Sequence, residues 1–313
     1  MRFCRFNEGR FGIVEGADIK DVTAALDVLP SHRYPLPGYD VFVAHLDDVR
    51  ARAEAIRTHA PSIPLSSAKL LSPIANPGKI IAAPVNYQKH LDEVKSDSQI
   101  HANNPAHTIT IQQAGVFLKA GSSLVGAGEG IAVRKPDRRT DHEVELAFVI
   151  GAPASSVPRA DALRYVAGYS IGLDVTIRGS EDRSLRKSPD SYTVLGPWFV
   201  TADEIPDPGA LDLELAVNGE RRQKSNTKYL ILGVAELIEL ASSFYTLYPG
   251  DVVLTGTPEG VSPISPGDHI VATIERIGTM EVDVHAAATR GGSENDGGSE
   301  RSAGPKGPAL QTL

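Results

Sequence analysis

Two glutamates separated by one residue, Glu143 and Glu145 in the run HEVEL, are the first groups in this chain whose spacing could do chemistry. Side chains alternate between the faces of a strand, so this spacing turns both carboxylates one way and sends Val144 and Leu146 the other. Alternating Glu and Val also suits a strand half exposed to water, and HEVEL alone does not choose between the two. Asp174 shifts the balance, because it ends another apolar strand-like run in YSIGLDVT. Three converging carboxylates repel one another unless a cation neutralises them, and oxygen donors of this kind suit magnesium, manganese or calcium better than zinc. A metal held in this way would chelate and polarise two substrate oxygens.

His90 and Glu93 form a second pair. Three residues apart on a helix they share a face, which lets the carboxylate orient the imidazole as a general base. Pairs of this type are also common on exposed helices. Lys119 in FLKAGSSLVG and Lys187 in RKSPDSY are candidate cations; lone lysines usually sit at the surface, but Lys187 lies in a dense run of charges just before an apolar strand. The run TGTPEG could present Thr257 and backbone N–H groups to a carboxylate. It lacks the lysine of a nucleotide phosphate loop, and the chain has no Gly-x-Ser-x-Gly elbow, so neither ATP binding nor a serine nucleophile is expected.

The elements that must position these groups are mostly strands. RFCRF-NEG-RFGIVEG reads as two strands around a turn, and residues 46–60 read as a helix ended by Pro61. These belong to a small amino-terminal α+β domain spanning 1–72. A larger region spanning 73–286 begins with the strand-like IIAAPVNY, passes through a short helix at YQKHLDEVK and then a polar loop, and continues as strands separated by Gly-rich turns. Asn218 and Gly219 signal a hairpin, and GVAELIELASSFYTLYPG is a helix stopped by Pro249 and Gly250. Many strands and few helices favour a mixed, β-rich α/β fold with peripheral helices over a regular βαβ series. Residues 287–313 carry almost nothing that could build a core and are expected to be a disordered tail.

Bulk properties narrow the function classes. The chain has 313 residues, 41% hydrophobic and 22% charged, with a formal charge of −8 and its 31 Lys and Arg scattered. No electrostatic grip on nucleic acid and no membrane span is expected. The charged, turn-forming start MRFCRFNEGRFG is unlike a secretory signal, which points to the cytoplasm. The single cysteine, Cys4, excludes an internal disulfide and a zinc site of paired cysteines. A few local cations can still reverse the potential inside one cleft, so a small anionic substrate fits this acidic chain.

Several motifs, taken together and in order, resemble the fumarylacetoacetate hydrolase superfamily. They are NYxxHxxE at 86–93, FLKAGSSLVG at 117–126, HEVEL at 142–146, GLDVT at 172–176, LGPWFVTADE at 195–204 and LTGTPEGV at 254–261. The resemblance spans residues 79–284. It implies a rolled mixed β-sheet compared to a skewed barrel, a homodimer, and Mg2+ or Mn2+ bound by Glu143, Glu145 and Asp174. It further implies that His90 and Glu93 act as a water-activating dyad on a lid, that Lys187 stabilises enolate charge, and that Thr257 contacts the substrate carboxylate. Asn226 and Thr227 match a polar stretch often near the cleft. Pro189, Pro84 and the long segment 96–114 depart from the pattern, at the lid and pocket walls where substrate choice lies.

The reading that follows is a divalent-metal-dependent hydrolase cleaving a C–C bond in an acylpyruvate-like or β-diketo acid, in aromatic or carboxylic acid catabolism. A lyase or isomerase of the same superfamily, decarboxylating a β-keto acid or moving a double bond in an unsaturated keto diacid, is the near alternative. A noncatalytic carboxylate-binding scaffold is the distant one.

Overall fold

The computed structural model describes residues 1–288. The tail expected over 287–313 therefore lies, from residue 289 onward, outside the described residues. The core of the fold is a twelve-stranded mixed sheet, with a separate five-stranded sheet and a two-stranded ladder beside it. The large sheet runs open from the edge strand Ser62–Pro64 to the edge strand Phe117–Lys119 and does not close into a barrel. The β-rich mixed architecture is thus as the sequence led us to expect.

At the centre of that sheet lies an antiparallel pair, Val144–Ile150 against Val166–Asp174. All seven residues of Val144–Ile150 are buried, so both its faces are covered and HEVEL is not a half-solvated strand. Ile171, Leu173, Leu146 and Phe148 join the main core cluster, while Ala147 and Val149 pack into a second one with Phe3, Phe11 and Phe42. Val252–Leu254 flanks the pair on one side and Thr193–Thr201 on the other.

Strands from the first 72 residues continue this same sheet. Arg2–Phe6 pairs antiparallel with Thr193–Thr201, and Leu70–Leu71 pairs back onto Arg2–Phe6. Phe3, Phe11, Phe42 and Phe199 form edge-on and stacked contacts with ring centroids 4.9 to 6.0 Å apart, which ties helix-bearing residues of this segment to the large sheet.

Local signals are met with small shifts. The helix over 46–60 runs as α-helix Leu46–Ile56 and tightens into a 3-10 turn, Arg57–His59, before Pro61. The hairpin Asp212–Val217 to Glu220–Asn226 turns at Asn218 and Gly219, both with positive φ (51° and 79°), as a tight two-residue hairpin turn requires. Helix Val234–Phe244 stops short of Pro249; the chain extends from Tyr245, and Tyr248 then closes a turn on Asp251. The polar stretch after residue 96 is not extended loop but a series of short turns, Ser98–His101, Pro105–His107 and Ile111–Ala114. Among the described residues no helix is long and apolar enough to cross a membrane.

Candidate active site

The carboxylates meet because of strand register. Val144 pairs with Leu173 and Glu145 with Gly172, and the Asp174 amide donates to the Glu143 carbonyl at 2.9 Å. Glu143 and Asp174 therefore sit across from one another at the hairpin's open end, and Glu145 follows on the same face. A Cβ at Gly172, opposite Glu145, would collide with Leu254, so this position holds no side chain that could screen the carboxylate. One oxygen from each of Glu143, Glu145 and Asp174 lies within 4.8 Å of the others, and the three side chains are 4%, 1% and 1% exposed.

Cations crowd this cluster. Lys187 Nζ donates to Glu143 Oε2 and Asp174 Oδ2, each at 2.6 Å, and to Thr176 Oγ1 at 2.7 Å. Lys119 Nζ pairs with the other Asp174 oxygen and donates to the Tyr192 carbonyl at 2.8 Å. Arg178 spans Asp141 and Glu143, at 2.8 and 2.9 Å. Burial opposes ionisation of Glu143, yet Lys187 and then Arg178 outweigh it and hold the carboxyl at about 2. Glu145 differs: burial, followed by the charge of Asp174, pushes it well above the ordinary carboxylate range. Against these stand the charge of Lys187 and the Gly256 amide, which donates to Glu145 Oε2 at 2.6 Å. Burial lowers Lys119, against the pull of Asp174.

Three buried oxygen donors this close are a fit for a hard divalent cation, and the ammonium of Lys187 drawn between two of them occupies the role of a stand-in.

His90 and Glu93 lie on α-helix Gln88–Ser96, whose buried face carries His90, Leu91 and Val94. His90 Nδ1 lies 2.8 Å from Glu93 Oε2, while Glu93 Oε1 accepts from the Gly260 amide at 2.9 Å. The carboxylate thus fixes the ring with Nδ1 protonated and leaves Nε2 with its lone pair. His90 is 3% exposed and lines one small cavity with Glu143, Glu145, Lys187 and Thr257. Thr257 Oγ1 donates to the Val144 carbonyl at 2.9 Å and accepts from Gln223 Nε2 at 2.8 Å.

Two candidates are placed elsewhere. Asn226 ends its strand and is engaged with Asp212 Oδ1 at 2.7 Å and the Lys228 amide at 3.0 Å, capping the following turn away from the cavity. Lys119 stands behind Asp174 and does not line the cavity. Side chains that the sequence reading did not single out are Gln223, Arg178, Arg183 and Arg186. Gln223 Oε1 accepts from the Val144 amide at 3.1 Å and lies 3.0 Å from His142 Nδ1, so this amide braces both HEVEL and Thr257. It is the one buried side chain of ERRQKSN, a signal invisible without the fold.

Wall residues Pro84 and Val85 precede the dyad helix, and Val85 has φ 42°. For a β-branched residue this is a strained conformation of the kind that collects at functional sites.

A mixed sheet that sets Glu143, Glu145, His90 and several cations around one cavity, with Asp174 and Glu93 adjoining them, gives this α/β protein a carboxylate cluster that could hold a metal ion. Residues 79–285 match the fumarylacetoacetate (FAA) hydrolase C-terminal family, and the chain belongs to that family. It is 60% identical over 286 residues to maleylpyruvate hydrolase of Aquipseudomonas alcaligenes, covering 91% of this chain and 100% of that protein. The crystal structure of maleylpyruvate hydrolase from Sphingobium sp. SYK-6 in complex with manganese (II) ion and pyruvate superposes with a TM-score of 0.77 at 38% identity, covering 92% of this chain and 100% of that one. Oxaloacetate tautomerase Fahd2a of Rattus norvegicus is 35% identical over 238 residues, 72% of each chain. The chain is a hydrolase of this superfamily.

Proposed function

We propose that the chain hydrolyses the C–C bond of an acylpyruvate, with Glu143, Glu145 and Asp174 holding Mn2+ or Mg2+. The observation that carries this reading is the convergence of those three buried carboxylates, with Glu143 and Glu145 lining the cavity that His90 also lines and Asp174 offering an oxygen within 4.8 Å of theirs. The 60% identity to a maleylpyruvate hydrolase supports the substrate class and a place in aromatic catabolism. When bound, the cation supplies Lewis-acid polarisation of the substrate's keto and carboxylate oxygens.

The protein's own groups do the rest. Glu93 keeps His90 Nδ1 protonated, so Nε2 takes a proton from water as that water attacks the distal carbonyl carbon. The C–C bond then breaks, its electron pair passing into a pyruvate enolate, and the His90 proton returns to carbon. Lys187 at the cavity wall offsets the enolate charge. Thr257, held by Gln223 at the cavity wall, donates to a substrate carboxylate oxygen once its hydroxyl turns from the Val144 carbonyl. Atoms balance: an acylpyruvate and water give a carboxylic acid and pyruvate.

We assign the catalytic groups to a domain spanning 73–286 and a supporting role to 1–72, which contributes no residue to the cavity. A cytoplasmic homodimer belongs to the same proposal, and light scattering of purified protein reads its mass. The tautomerase relative keeps an isomerase reading in view. A mass-resolved assay with Mn2+ and a panel of acylpyruvates and oxaloacetate separates the two. Two acids with one water consumed uphold hydrolysis, and turnover without change of mass overturns it.

A further inference from the structure

Two arginines on the short helix Arg183–Lys187 lack any anionic partner. Arg183 and Arg186 are three residues apart and Lys187 follows, so one helix face sends all three toward the cavity that His90 lines. Arg186 is 4% exposed; it donates to the carbonyls of Glu181 at 2.8 Å and Ile177 at 3.1 Å, and through Nη2 to His107 Nε2 at 3.2 Å. Arg183 Nη2 donates to the Ala106 carbonyl at 2.7 Å. Every acid nearby is committed elsewhere. Glu181 pairs with Arg138, Asp182 caps the Ser184 amide, and Glu143 is taken by Lys187 and Arg178. No carboxylate of the described residues lies within ion-pair distance of Arg183 or Arg186.

Guanidiniums bury readily when a carboxylate or phosphate meets their planar fork, and burial without one is costly. Burial is indeed the first cause that lowers Arg186, to about 10, so it stays charged at neutral pH. His107 adds a neutral acceptor: burial lowers it to about 4, and its Nδ1 faces the His101 carbonyl at 3.1 Å, leaving Nε2 to accept from Arg186. Around the cavity four cations, Arg178, Arg183, Arg186 and Lys187, stand against two lining carboxylates, Glu143 and Glu145. A substrate with a single carboxylate, bound at the tricarboxylate end, leaves the arginine pair uncompensated.

We propose that Arg183 and Arg186, the latter held in place by His107, form a second anion subsite, which receives the distal carboxylate of a dianionic keto acid and selects it over monoanionic analogues. This rests on the reading of the cavity as an acylpyruvate site and deepens it, because it assigns substrate choice to two side chains that take no part in bond cleavage. The subsite joins two parts of the fold. His107 and Ala106 come from the turns after the dyad helix, and Asn104 Nδ2 donates to the Ser180 carbonyl at 3.1 Å, so the distal anion sits at the seam between those turns and the 180–187 segment.

The test compares kcat/KM, with Mn2+, for a carboxyl-ended acylpyruvate and its methyl-ended counterpart of equal length. The native preference for the diacid is expected to drop on the order of 30-fold in Arg186→Gln, with Arg186→Lys retaining part of it. Arg183→Gln, which breaks one carbonyl contact, is the second variant should Arg186→Gln fold poorly. A diacid-to-monoacid ratio within about threefold of native in the folded variants overturns the subsite. Calorimetric binding of the same two compounds to His90→Ala and to His90→Ala/Arg186→Gln supplies the ratio without turnover. If the native enzyme cleaves neither compound, the hydrolase reading fails, and this binding ratio still decides the subsite.

Discussion

Glu145 is the carboxylate that most needs a cation, since burial and two like charges together outweigh the charge of Lys187 and the Gly256 amide that favour its ionisation. Glu145→Gln is expected to weaken Mn2+ binding by more than the roughly 10- to 100-fold typical of losing an outer partner, and calorimetry reads it directly. His90→Ala should lower kcat by about 10²- to 10⁴-fold, the usual range for a general base, with KM changing little in steady-state assays. His107 gives a pH signature. Its folded value of about 4 lies below the ordinary histidine value of 6.5, so its contribution to stability is full above the higher value and is lost as pH falls through the lower. Urea midpoints of native protein and His107→Gln should therefore converge between pH 7.5 and about pH 4. The acids and the dyad were legible because their spacing, two on a strand and three on a helix, states a shared face. Asn226 stands at a turn cap, a role its polar neighbourhood suits as well as it suits a cleft, and Arg183 and Arg186 were passed over because a charged run does not say which of its members lacks a partner.

At the scale of elements, the hairpin of Val144–Ile150 and Val166–Asp174 fixes the carboxylates, and the loop after Leu254 fixes what supports them. Gly256 has φ +93°, and a Cβ there would stand 2.7 Å from the Asn86 Cβ, while its amide is the one serving Glu145. Gly256→Ala is expected to cost about 2 kcal/mol or more, from a strained backbone and a close contact, as a lower urea midpoint accompanied by weaker metal uptake. Strand periodicity, the Asn218–Gly219 turn and the dyad helix could all be read along the chain. Three features could not. HEVEL is buried on both faces because Val252–Leu254 and Thr193–Thr201 flank its hairpin, which no local pattern encodes. Helix Val234–Phe244 ends before its proline signal because the chain must reach Leu247, which exchanges amide–carbonyl bonds with Ala154 at 2.8 and 2.9 Å. The segment after residue 96 folds into short turns because His107 and Ala106 find partners in the 183–187 helix.

For the whole molecule, the large sheet joins strands from the first 72 residues to strands as far along the chain as Val252–Leu254, and the aromatic cluster of Phe3, Phe11, Phe42 and Phe199 packs the first segment against it. A fragment beginning at residue 73 would uncover Phe199 and leave Thr193–Thr201 without its partner Arg2–Phe6. Open apolar strand edges aggregate, so gel filtration of that fragment should show soluble aggregate or no soluble protein, where the full chain elutes as a discrete species. The catalytic segment was recognisable as a unit from its motifs; its dependence on the amino-terminal strands was not, because pairing between residues nearly two hundred apart leaves no mark in local sequence. The central claim is that three carboxylates from two neighbouring strands hold one divalent ion. Anomalous diffraction at the manganese edge from crystals of the full chain grown with Mn2+ tests it most directly. One strong peak in contact with an oxygen of each of Glu143, Glu145 and Asp174 is the predicted result, and a peak bound by other residues, or none at the cluster at saturating Mn2+, would contradict it.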